Sequence, residues 1–139
     1  MNEQIDKWLT NSYVATFAYF SVAILAMIVF LTIFEIVTRY SNWQEIKKGN
    51  VAVAMATGGK IFGIGNVFRF SIQSNDSVYE SLIWASYGFI LLLAAYLIVE
   101  FLTPNINIDN EIAKDNRAIG LLSMIISIAL SYVIGASVT

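Results

Sequence analysis

Lys60 stands ten residues after Asn50, inside the uninterrupted apolar run Val51 to Ile72. At about 1.5 Å per helical residue its backbone lies about 15 Å from the polar joint at Asn50, near the middle of a bilayer. An ammonium at that depth is costly unless it meets a counter-charge, a water-filled space or a way back to the headgroups. Glu35 and Glu100 lie a turn or so inside the same edge of their own apolar runs, within reach of an extended lysine. Glu35 has Arg39 four residues on, the spacing of an in-helix pair, whereas Glu100 has Pro104 there and no local cation. Glu100 is therefore the expected partner of Lys60. The cluster of Lys60, Glu35 and Glu100 reads in two ways: as polar groups on the path of a small ion or solute, or as a structural ion pair with a lysine that snorkels. Ile126 holds the position matching Lys60 in the second half of the chain, so the charge is not duplicated.

Other chemistry is scarce. The chain has no cysteine and no histidine, which removes disulfides, thiolate chemistry, zinc and haem ligation and imidazole relays. A metal would have to be a hard cation on oxygen ligands, and none is expected. Gly58-Gly59-Lys60 is no phosphate loop, because Ile61 follows the lysine and Ala54 holds the earlier glycine position. Gly63-Ile64-Gly65 lacks the third glycine of a dinucleotide fingerprint, with Phe68 in its place. Asn105, Asn107 and Asp109 imitate the start of a calcium loop, but Asn110 stands where glycine is needed and Asn116 where the bidentate glutamate should be. No nucleophile and base stand out as a pair, so neither an enzyme nor a cofactor is expected. A net charge of −2 without a long basic run speaks against nucleic acid.

The elements that position Lys60 follow from composition. Of 139 residues, 58% are apolar and 13% charged, against about a quarter charged in soluble domains. Four runs are each long enough for the roughly 20 residues that cross a bilayer. The pattern predicts an all-α integral membrane protein with helices at about 13–39, 50–72, 80–102 and 112–138. A soluble bundle would need a continuous polar face on each helix, and none shows one. Acidic residues near the start, with a first run too long for a signal core, predict a retained first helix.

Within these helices small residues recur at helical spacing. Ala52, Ala56, Gly59 and Gly63 form one stripe, and Ser123, Ser127, Ser131 and Gly135 a ladder on the last helix. Both are expected to pack helices, because close approach at small residues supplies contact that lipid does not. A pore lined by the serines is the alternative. Asn50 and Asn116 stand just ahead of apolar runs, where their side chains can cap the first turn.

Glu45 to Ala52 reads E-I-K-K-G-N-V-A, and Glu111 to Ala118 reads E-I-A-K-D-N-R-A. Each text lies where an odd-numbered helix hands over to an even-numbered one. Glu35 and Thr38 have counterparts in Glu100 and Thr103, one residue out of register. This predicts two tandem two-helix units, about 13–73 and 79–139, related by a pseudo-twofold along the membrane normal. Lys and Arg gather at joints 40–50 and 103–117, which places both joints in the cytoplasm and both termini outside.

The text G-N-V-A-V-A-M-A-T-G-G from Gly49 to Gly59, Trp84 with Leu91 to Pro104, and D-N-R-A-I-G from Asp115 to Gly120 resemble the bacterial membrane family called domain of unknown function 350. The likeness runs from the end of the first helix to the fourth. It implies a small protein of the bacterial inner membrane with doubled helix pairs, and no particular activity. The functional expectation is a homo-oligomeric channel or transport component for a small ion or solute, its copies meeting along the small-residue faces. The alternative is a non-transporting scaffold or accessory subunit that docks a soluble cytoplasmic partner on its joints. The lipid bilayer is the partner common to both.

Overall fold

The computed structural model describes residues 3–138, so residue 139 of the expected second unit lies outside the described residues. Seven helices follow one another: α1 (Glu3–Leu9), α2 (Ser12–Val37), α3 (Asn42–Lys47), α4 (Val51–Ser74), α5 (Val78–Leu102), α6 (Ile108–Ala113) and α7 (Arg117–Ser137). Among the described residues there is no strand, and α2, α4, α5 and α7 are the four helices long and apolar enough to cross a membrane. Helix is the natural outcome here, because a chain in hydrocarbon must satisfy every backbone polar group within its own segment.

Where the sequence pattern suggests one helix over 112–138, the chain makes two. Asn107 accepts from Asn110 N and opens α6, and Asp115 then turns into the left-handed region at φ +63°. Only after that turn does α7 begin. Pro104, lacking an amide hydrogen, follows the end of α5 at Leu102.

Helix α4 is the centre of the bundle. It carries the largest share of buried residues and packs against α2, α5 and α7. The other three spanning helices leave large apolar side chains exposed, among them Phe17 and Phe20 on α2, Ile90 and Phe101 on α5, and Ile125 and Val133 on α7. Such surfaces suit acyl chains, which are as apolar as leucine. An aromatic core fills the space above α4: Phe30 stacks on Phe89 at 4.3 Å, and Phe34 meets the edges of Phe89 and Tyr96.

The two joints touch. Asn50 Nδ2 donates to Ala113 O at 3.0 Å, and Ala52 N donates to Asp115 Oδ1 at 2.9 Å. From there α4 and α7 run parallel and in step, with Gly59 on Met124, Asn66 on Ser131 and Phe70 on Gly135. Two of these crossings need glycine. A Cβ at Gly59 would lie 2.7 Å from Met124 Cα, and one at Gly120 would lie 2.7 Å from Ala52 Cα.

The contact is not of the twofold kind. A twofold would bring equivalent positions together, yet α4 uses Ala52, Gly59, Asn66 and Phe70 while α7 answers with Gly120, Met124, Ser131 and Gly135. Counting 66 residues on from Asn50 to Asn116, the α7 positions matching the α4 set are Ala118, Ile125, Tyr132 and Ala136; all are exposed, and of them Tyr132 reaches α4 through its ring, against Phe62 and Phe70. Helices α4 and α7 thus meet through different faces.

Candidate functional site

Lys60 is 1% exposed, one of the most deeply buried side chains in the molecule. Four separate elements wall it in. Phe34 comes from α2, Tyr40 from the extended stretch after it, Tyr96 from α5, and Asp109 from α6 stands behind Tyr96. The ammonium donates to Tyr40 Oη at 3.2 Å. Its nitrogen lies 5.5 Å from the Phe34 ring centre, 5.2 Å from Tyr40 and 5.4 Å from Tyr96, all within the reach of cation–π attraction. Burial, with the charges of Asp109 and Glu100 nearby, pushes the Tyr40 phenol well above its ordinary range, so it stays neutral.

Asp109 is also 1% exposed. It accepts a hydrogen bond from Tyr96 Oη on one oxygen and from the Arg39 amide at 3.3 Å on the other. Tyr96 therefore presents its ring to the lysine and its hydroxyl to the aspartate. Among the described residues Lys60 forms no ion pair; the pairs present are Lys48 with Glu45 and Arg117 with Asp115, both at the joints.

The expected carboxylates lie near this pocket without closing on the ammonium. Glu35 Oε1 accepts from Ser41 Oγ at 3.2 Å and Asn42 N at 3.1 Å, so it serves the start of α3. The Glu100 carboxylate makes no hydrogen bond and no ion pair among the described residues, which corrects the expectation that it partners Lys60. The physical reason is that the phenols of Tyr40 and Tyr96 occupy the space around the ammonium, and α6 brings Asp109 behind them. Sequence reasoning missed Tyr40, Tyr96 and Asp109. The usable signal was Asn107 followed by Asp109 and Glu111, a cap with an acidic first turn that marks a helix start.

Beyond Lys60 the buried polar groups of α4 continue toward its other end. Asn66 Nδ2 donates to Ser131 Oγ at 3.1 Å, and Ser131 passes its own hydrogen to Ile128 O at 2.7 Å. Thr57 Oγ1 and Ser71 Oγ are buried without a partner. Of the small residues, Ala52, Gly59, Gly63, Ser131 and Gly135 sit in the contact between α4 and α7, and Ala56 is buried beside Tyr40 and Ile112. Ser123 and Ser127 line an apolar cleft between α5 and α7 with Ile126, Phe34 and Tyr96, and the Ser127 carbonyl also faces Gly63.

At the joints the two echoing texts fold alike. Asn50 N donates to Glu45 O and Gly49 N to Ile46 O; Asn116 N donates to Glu111 O and Asp115 N to Ile112 O. Each is a helix stop of the Schellman type, with Gly49 at φ +86° and Asp115 at φ +63° in the left-handed position. Asn50 Oδ1 then accepts from Val53 N and Asn116 Oδ1 from Ile119 N, capping α4 and α7. Hydrogen bonds from Asn50 and Lys48 hold the Glu45 carboxyl below its ordinary range, and the Ala52 amide does the same for Asp115.

Residues 8–138 match the family described as Domain of Unknown Function (DUF350). The UPF0719 transmembrane protein YshE of Bacillus subtilis (strain 168) is 54% identical over 133 residues, 96% of this chain and 98% of that protein. The UPF0719 inner membrane protein YjfL of Escherichia coli (strain K12) is 25% identical over 113 residues, 81% of this chain and 84% of the relative. No solved structure matches. With a bundle of apolar spanning helices and a match along nearly its whole length, the chain is a membrane protein that belongs to the DUF350 family.

Proposed function

We propose that this protein is a homo-oligomeric ion-transport component of a bacterial inner membrane, with Lys60, Tyr40, Tyr96 and Asp109 at the centre of the path. One observation carries the reading: a fully buried ammonium that is held by the Tyr40 hydroxyl and the rings of Phe34 and Tyr96 and not neutralised by a carboxylate at ion-pair distance. A purely structural lysine would close on a counter-ion. Here the nearest buried carboxylate, Asp109, is engaged by Tyr96 and Arg39, and the polar groups of α4 carry on through Asn66 and Ser131. Intramembrane charges facing a bundle interior commonly mark ion paths.

The similar folding of the joints supports two tandem helix pairs, and the inner-membrane name of YjfL supports the location. Lys and Arg at the joints favour a cytoplasmic placement for them, with both termini outside. No catalytic step belongs to this reading. Flux of monovalent cations and protons through purified protein in liposomes tests it. Wild type is expected to exceed empty vesicles, Lys60→Met to change that flux at least tenfold, and Glu100→Gln to leave it unchanged. Flux at the empty-vesicle level in all three removes the proposal.

A further inference from the structure

The small-residue faces that would join copies of the chain are already used inside it, between α4 and α7. An oligomer needs another surface, and the internal contact itself supplies one. Because α4 and α7 meet through different faces, each helix keeps the face that its equivalent uses. On α7 the open face is Ala118, Ile125, Ala129 and Ala136, all exposed; Tyr132 beside them already meets the rings of Phe62 and Phe70 on α4. On α4 it is Ala54, Gly58, Gly65 and Arg69, equivalent to Gly120, Met124, Ser131 and Gly135; three are exposed and Gly65 is half-buried against Met27. One half of the interface is thus left open on each side of the chain.

We infer that a second copy of this chain docks the Ala54, Gly58, Arg69 face of its α4 on the Ala118, Ile125, Ala136 face of α7, repeating between copies the contact made within each. The bulk is complementary. Inside the chain Gly59 receives Met124 and Gly135 receives the Phe70 ring. Between copies Ile125 would meet Gly58, where an added Cβ finds nothing within 4 Å, and Arg69 would meet Ala136. Large stands against small at these two crossings, and Ala54 with Ala118 adds a small pair that permits close approach of helices in lipid. Such an interface is head-to-tail, so it propagates and closes into a ring when the rotation permits. This names the surface for the homo-oligomer of the proposed function and rests on that part of it, while the ion path is tested separately by flux.

The chain lacks cysteine, so single cysteines report directly. Membranes holding two differently tagged copies, Gly58→Cys and Ile125→Cys, are oxidised with copper phenanthroline. A disulfide between the two tags is expected, with none in membranes holding either variant alone, and the double variant should give a ladder beyond the dimer. Native mass spectrometry of Gly58→Leu with Ala129→Leu should show monomer where wild type shows an oligomer, with helix content by circular dichroism unchanged. Absence of the mixed cross-link, cross-linking within either single variant, or a wild type that carries only lipid and no second copy overturns the inference. A ladder without ion flux would keep the interface and remove the transport reading.

Discussion

Asn50 and Asn116, 66 residues apart, do the same two things: each side-chain oxygen caps the helix that follows, and each side-chain amide donates back to the glutamate five residues earlier, Glu45 or Glu111. They differ in one respect. Asn50 also donates to Ile112 O and Ala113 O, so it ties one joint to the other.

That difference has a measurable outcome. Replacing an Asn cap by Ala costs about 1 kcal/mol, and thermal unfolding in detergent should show that loss for Asn116→Ala. Asn50→Ala should lower the midpoint further, because it also removes the hydrogen bonds to Ile112 O and Ala113 O that tie the joints together. Equal midpoints for the two variants would contradict the cross-joint role.

Lys60 and Tyr96 should respond in opposite ways. Exchanging a buried charge for an apolar side chain of similar size is often neutral or stabilising, so Lys60→Met should unfold at or above the wild-type temperature. Tyr96→Phe removes the hydroxyl that Asp109 accepts and should cost about 1–3 kcal/mol, the penalty of a buried group left unpaired. Circular dichroism melts of the two purified variants decide the point, and a destabilised Lys60→Met would show that the lysine is a structural anchor.

Acid sensitivity should concentrate at the joints. Asp115 and Glu45 are both held below their ordinary range, chiefly by the Ala52 amide and by Asn50. A carboxyl depressed in the folded state adds stability that is present above its unfolded pKa and is lost as pH falls through the folded one. The gap in melting temperature between wild type and Asp115→Asn should therefore be widest near neutrality and narrow as pH drops below the ordinary carboxylate range. A gap independent of pH would remove the linkage.

Neighbouring glycines should differ sharply. Gly59→Leu drives a side chain into the Met124 backbone and should cost about 1–3 kcal/mol or prevent folding, as overpacking does. Gly58→Leu meets open space within the chain and should melt close to wild type once monomeric. Melting temperatures in detergent compare the two directly.

Much of this architecture is legible in the residues themselves. Length and composition specify four spanning helices, because hydrocarbon permits a lone segment no other backbone solution. The repeated E-I-x-K-x-N text specifies the joints, since a Schellman stop followed at once by an Asn cap is chemistry local to those residues. The burden of a cation at Lys60 is equally readable from depth alone. What surrounds that cation is not. Phe34 with Tyr40, and Tyr96 with Asp109, come from two stretches far apart in the chain, and only their packing brings Asp109 in place of Glu100. Tertiary structure likewise decided which faces of α4 and α7 meet. In a bilayer both faces of an apolar helix find an apolar surrounding, so hydrophobicity cannot choose between them, and close fit at Gly59 and Gly120 makes the choice.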